Sequence, residues 1–168
     1  MKVLIAIDNS ECSAAAVNAV ADRSWPPGTT FEVITVCEPV SVNYCYAGAC
    51  ALGSMEEIDL QVHKYCSSLV DDIATRLKAI FGKGRVSSQV IQGPIAESII
   101  EHAKESQADL IVVGSHGRTG IKRFLIGSVA GKVVGASPCS IEVVREKQVR
   151  TEKKAAAADK AMLLVAHH

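Results

Sequence analysis

The stretch Asp109-Leu110-Ile111-Val112-Val113-Gly114-Ser115-His116-Gly117 decides the fold. Leu110 to Val113 is apolar at every position. A strand with one wet face alternates polar and apolar residues, so an unbroken run predicts a central parallel strand covered on both sides. Residues Asp109 to Val113 are therefore read as the fourth strand of an α/β sheet. A glycine-containing loop follows at once, and Gly127-Ser128 opens a predicted helix reaching about Ala136. Strand, glycine turn and helix start thus recur at the spacing Gly-x2-Gly-x9-Gly-Ser.

The same alternation extends outward in both directions. Lys2 to Ile7 predicts a buried strand ended by Asp8. Asn9 or Ser10 suits the cap of the next helix, whose apolar positions are Ala15, Val17, Ala19 and Val20. Pro26-Pro27-Gly28 stops that helix, and Phe31 to Cys37 predicts the second strand. Val40 to Ser54 has no period and reads as a loop. A long helix is expected from Met55 to about Phe81, with Val62, Cys66, Leu69, Ile73, Leu77 and Ile80 on one face. Val86 to Gln92 predicts the third strand. Gly93-Pro94 starts a helix with Ile95, Ile99, Ile100 and Ala103 inward. Ile141 to Val144 predicts the fifth strand. Such alternation defines a doubly wound parallel α/β fold. Residues 1–145 are expected to form the domain. Residues 146–168 read as a C-terminal tail, docked or disordered, with a weak helix near Lys153 to Ala158 and an apolar patch at Met162 to Val165. The terminal His167-His168 is given no metal role.

Composition narrows the function classes. The 18 basic and 18 acidic side chains cancel, so no overall field draws a polyanion, and nucleic acid is not an expected partner. No apolar run approaches bilayer length, and the five apolar residues between Lys2 and Asp8 are too few for a signal segment. The expected location is cytoplasmic, without membrane partners. A reducing compartment predicts that the six cysteines are free thiols, and no CxxC pair or zinc-type spacing argues otherwise.

Chemistry concentrates after the fourth strand. Ligands of open α/β sheets bind beyond the carboxyl ends of the strands. Gly114 and Gly117 leave backbone N–H groups open to close approach, and a helix beginning at Gly127-Ser128 offers free N–H donors and the positive end of its dipole. Ser128 adds a hydroxyl, His116 a ring donor and Arg118 a cation. The arrangement predicts a phosphate cradle. No GxxxxGK[ST] loop, paired carboxylates or Ser/His/Asp set accompanies it.

These residues resemble the nucleotide-binding branch of the universal stress protein family. The resemblance covers about Met1 to Arg145. It rests on Val3-Leu4-Ile5-Ala6-Ile7-Asp8 with Ser10, Thr35-Val36, Gly93-Pro94-Ile95, the Asp109–Gly117 stretch, and Pro138-Cys139-Ser140-Ile141-Glu142-Val143-Val144. It implies a five-stranded sheet of order 3-2-1-4-5 in a three-layer α/β/α fold of the adenine nucleotide alpha-hydrolase-like kind. It also implies that Ala6, Ile7 and Asp8 lie near adenosine and that Val36 lines the adenine pocket. Val113, Gly114, His116, Gly117, Arg118, Gly127, Ser128 and Val129 are implied to hold ribose and phosphates. The implied ligand is ATP, or ADP or AMP, with Mg²⁺ bridging phosphates but no dedicated metal site. A homodimer through the edge strand Ile141–Val144 is implied as well. The departure from the family pattern is the flexible, basic loop with Gly120 and Lys122-Arg123. The resulting expectation is an ATP-binding stress or regulatory module with weak or no hydrolysis, at most a slow ATPase, and no assigned catalytic residue. The competing expectations are a nucleotide-free scaffold that senses oxidation through the Cys45, Cys50 and Cys66 region, and a nucleotide-hydrolysing or nucleotidyl-transferring enzyme.

Overall fold

The computed structural model describes residues 1–38, 55–117 and 126–146. In chain order these form β1 (Lys2–Ala6), α1 (Glu11–Ala21), β2 (Thr30–Cys37), α2 (Met55–Phe81), a 3-10 turn (Lys83–Arg85), β3 (Val86–Gln92), α3 (Ile95–Glu105), β4 (Leu110–Gly114), α4 (Ser128–Ala136) and β5 (Ser140–Val144). The predicted loop Val40–Ser54, with Cys45 and Cys50, lies outside the described residues, as do Arg118, Gly120, Lys122-Arg123 and the tail beyond Glu146.

The five strands are parallel and ordered β3-β2-β1-β4-β5. The apolar runs explain themselves in this arrangement. Val3 and Ile5 of β1, with Leu110 and Val112 of β4, face α1 and α2 and pack with Val17, Val20, Val70 and Leu77. Leu4, Ile111 and Val113 point to the other face and pack with Ile99, Ala103 and Val133 of α3 and α4. Each central strand serves two cores, so neither set of alternating positions tolerates a polar residue. The three-layer α/β/α architecture and the strand order agree with the reading of the sequence.

Some helix faces differ from that reading by a fraction of a turn. In α2 the buried positions are Cys66, Val70, Ala74 and Leu77, while Ile80 is 50% exposed. Phe81 takes the place expected of Ile80 and stacks on Phe31 with ring centroids 4.2 Å apart. In α1 the buried set is Ser13, Ala16, Val17 and Val20. Ser10, not Asn9, caps it, its hydroxyl accepting from the Ser13 N–H at 3.1 Å.

A polar cluster occupies the opposite end of the sheet from the cleft described below. Glu32 of β2 is buried, with Lys2 Nζ 2.7 Å from Oε2 and His102 Nε2 2.9 Å from Oε1. Burial pushes the Glu32 carboxyl up, but hydrogen bonds from Lys2 and His102 outweigh it and hold the group below the usual carboxylate range. On the other face of the sheet, Arg23, just beyond α1, makes a fork-to-fork pair with Glu142 of β5 at 2.6 and 2.7 Å, which ties the end of that helix to the edge strand and raises the Arg23 pKa.

Candidate functional site

The connections leaving β1 and β4 go to opposite faces of the sheet, so a crevice opens between the carboxyl ends of these adjacent strands. The chain after β1 is fixed there by a chain of short hydrogen bonds. The Ser10 hydroxyl donates to Asp8 Oδ1 at 2.5 Å, and the Ser10 N–H reaches the same oxygen at 3.1 Å. The Asp8 N–H donates to Ser13 Oγ at 3.0 Å. Ser10 Oγ also lies 3.2 Å from the His116 carbonyl, which connects the first turn of α1 to the loop after β4. Asp8 is thus the organiser of an Asx-type turn, with Ser10 as the helix cap.

The loop after β4 is anchored on its other side. The Ser115 N–H donates to the Val144 carbonyl at 2.7 Å, and the Gly127 N–H donates to the Ser115 carbonyl at 2.8 Å. His116 is half-buried, with Nδ1 3.0 Å from Ser115 Oγ. The glycines have a definite packing cause. A methyl group built on Gly114 would stand 2.7 Å from the Cys12 carbonyl carbon and 2.8 Å from the Ser13 nitrogen. One on Gly117 would stand 2.8 Å from Asp8 Oδ2, and one on Gly127 would stand 3.1 Å from the Ser115 carbonyl oxygen. The sequence reading assigned the space at Gly114 and Gly117 to a ligand. In the structure that space is filled by α1 and Asp8.

The donors left for an anion are at the start of α4. Gly127 makes no side-chain cap, and intrahelical bonding begins with the Gly131 N–H on the Gly127 carbonyl at 2.8 Å. The N–H groups of Ser128, Val129 and Ala130 precede that bond and have no carbonyl within the helix to meet. These three residues line a cavity of about 1330 Å³ together with the β1 end, the β4 loop and the end of β2. The volume exceeds what a typical small-ligand pocket of roughly 300–1,000 Å³ needs.

Every site residue expected from the sequence except Arg118, which lies outside the described residues, lines this cavity: Ala6, Ile7, Asp8, Val36, Val113, Gly114, His116, Gly117, Gly127, Ser128 and Val129. The sequence reading missed a further wall. Thr35, whose Oγ1 donates to the Ile7 carbonyl at 2.8 Å, faces the cavity, as do Val62, Tyr65, Cys66 and Leu69 of α2. A length argument finds this wall. A helix of 27 residues spans about 40 Å, whereas β2 spans about 25 Å. With Phe81 stacked on Phe31 at the start of β2, the first turns of α2 must overhang the carboxyl edge of the sheet. Residues read as core in that half of the helix therefore face the cleft. The expectation of six free cysteines meets an exception here. The sulfurs of Cys37 and Cys66 lie within bonding reach of each other in the cavity wall, because β2 ends where α2 passes over it. Cys12 and Cys139 are free.

Comparison with known proteins agrees with this architecture. The family model of the universal stress protein family matches residues 1–145. Universal stress protein YxiE of Bacillus subtilis is 31% identical over 147 residues, covering 86% of this chain and 98% of the relative. The chain belongs to the universal stress protein family. Among solved structures, MJ0577 of Methanocaldococcus jannaschii superposes with a TM-score of 0.73 at 22% identity, covering 88% of this chain and 96% of that one. A family protein of Arabidopsis thaliana, solved with AMP bound, gives a TM-score of 0.58 at 14% identity, covering 90% and 95%. At these identities the two structures speak to the fold.

Proposed function

We propose that the cleft binds an adenine nucleotide, with ATP as the expected ligand, and that the protein is a nucleotide-holding regulatory module. One observation carries the reading: the uncapped first turn of α4 opens into the same cavity as the apolar wall of Ile7, Val36 and Val113. An anion-binding end and an apolar slot sharing one cavity match a phosphate chain and a base joined by ribose. In this reading the N–H groups of Ser128, Val129 and Ala130 receive phosphate oxygens, with the Ser128 hydroxyl, His116 and Arg118 beside them. Asp8, with Ala6 and Ile7, takes the ribose and adenine side, and Val36 packs on the base. The AMP-bound Arabidopsis relative supports an adenine nucleotide as ligand class.

Asp8 and Glu38 are the carboxylates along the cavity, and no cluster of three or more metal-ligating side chains occurs among the described residues. A Mg²⁺ ion here would therefore take most of its oxygen ligands from phosphates and water. Turnover is expected to be weak or absent, because among the described residues no side chain is held as a base for an attacking water at the cradle. Phosphate release from ATP above a protein-free control would contradict this.

Residues 1–145 make up the binding domain in this account, and residues 146–168 are an appended tail. The protein works in the cytoplasm. Among the described residues β5 is an outer strand, and its edge is the one offered to a second copy, giving a homodimer; light scattering that finds only monomer at micromolar concentration would exclude it. The nucleotide reading is tested by denaturing the purified protein and analysing the supernatant. Released adenine nucleotide is expected. Its absence, together with flat calorimetry for ATP, ADP and AMP, overturns the reading.

A further inference from the structure

We propose that Cys37 and Cys66 form a reversible dithiol–disulfide site that sets how tightly the cleft holds its ligand. The proposal rests on the nucleotide reading of the cleft. Cys37 ends β2 beside Val36, Cys66 sits in α2, and both line the cavity. They are 6% and 8% exposed, with Cα atoms 7.0 Å apart; that is just beyond the usual disulfide span of about 4.4–6.8 Å, so closing the bond draws α2 slightly toward the end of β2.

The position of the pair gives it leverage. Beyond Cys66 toward the C-terminus, α2 is held to the sheet by Val70, Ala74 and Leu77. Before Cys66, Leu60 and Tyr65 are exposed, and Val62 faces the cavity. The bond therefore pins the helix where it leaves the sheet, and that overhanging half is one wall of the ligand cavity. Oxidised, the wall is fixed in place before the ligand arrives. Reduced, the overhang must be ordered on binding, which lowers affinity.

The chemistry needs an external disulfide, such as glutathione disulfide. One cysteine thiolate attacks it, forming a mixed disulfide and expelling one glutathione thiolate. The second cysteine thiolate then attacks the protein sulfur of the mixed disulfide and expels the other. Two protein thiols are oxidised and one glutathione disulfide is reduced to two thiols. In a reducing compartment such a bond is a sensing rather than a permanent one. Reciprocity follows: if oxidation tightens ATP binding, ATP shifts the pair toward the disulfide by the same factor.

The test uses the full-length protein equilibrated in glutathione buffers of graded potential. Non-reducing peptide mapping reads the pairing, and calorimetry reads ATP affinity in fully oxidised and fully reduced samples. A Cys37–Cys66 peptide is expected, with ATP bound roughly 5- to 10-fold more tightly when it is present. Cys66→Ser, or Cys37→Ala if the first variant fails to fold, is expected to show the same affinity in both buffers. Pairing of Cys66 with Cys45 or Cys50 overturns the proposal, as does a Cys37–Cys66 bond that leaves affinity unchanged. Redox-dependent affinity persisting in both variants overturns it too. If the bond forms but neither state binds nucleotide, the nucleotide reading falls and takes the coupling with it. The peptide map distinguishes that result from a pair that never forms.

Discussion

Gly114 carries no side chain because the first turn of α1 passes within contact distance of its Cα. The atoms that a methyl group would meet, the Cys12 carbonyl carbon and the Ser13 nitrogen, are backbone and cannot rotate away. Gly114→Ala should therefore destabilise the fold by about 1–3 kcal/mol, read as a lower urea midpoint. An unchanged midpoint would mean that α1 and β4 separate at no cost. The glycines at 114 and 117 were legible in the sequence as places of close approach, and Gly127 as the opening of a helix. What approaches was not, because a missing side chain records a space and not its occupant. Asp8 was legible in a similar way. Its place at the cleft followed from the end of β1, whereas the Ser10 hydroxyl that bonds it also meets the His116 carbonyl, a link between residues more than a hundred positions apart.

At the scale of the element, α4 separates binding from stability. Ser128 is exposed and stands first in a helix whose start has no capping side chain. An acidic residue there complements the helix dipole and should stabilise by about 0.3–1 kcal/mol. The same charge faces the proposed phosphate position. Ser128→Asp should thus raise or preserve Tm while lowering ATP affinity tenfold or more in calorimetry. A variant that keeps full affinity would remove the α4 start from the account. The limits of α4 were legible from Gly127-Ser128, and those of α2 from its three- and four-residue spacing. The course of α2 was not. Its first half reads as core because a period shows which residues share a face and not what that face meets. The shift from Ile80 to Phe81 has a like cause: the stacking partner Phe31 lies fifty residues earlier.

For the whole molecule, the sheet order and the two cores place the cleft at one end and the Glu32 cluster at the other. Because the Glu32 pKa is lowered in the folded protein, its contribution is present above the ordinary value of 4.5 and is lost as pH falls through the lowered one. Wild-type stability should fall between about pH 5 and pH 3 more steeply than that of Glu32→Gln, which lacks the titrating group. At pH 7 the variant should be less stable by about 1–3 kcal/mol. Parallel acid profiles for the two proteins would contradict the role given to the cluster. Alternation of strands and helices made the fold class legible, and the family resemblance supplied the order of strands. The Lys2, Glu32 and His102 cluster was not legible, since β2 reads as a strand with or without it and its members meet only across the folded sheet.

The central claim is that the cavity between Asp8, Val36 and the start of α4 holds an adenine nucleotide. Calorimetric titration of nucleotide-stripped, folded protein with ATP tests it most directly. The account predicts saturable one-site binding that Ser128→Asp weakens at least tenfold. Absence of binding heat for ATP, ADP and AMP, at a temperature where an enthalpy is resolvable and with the fold verified by circular dichroism, would contradict it.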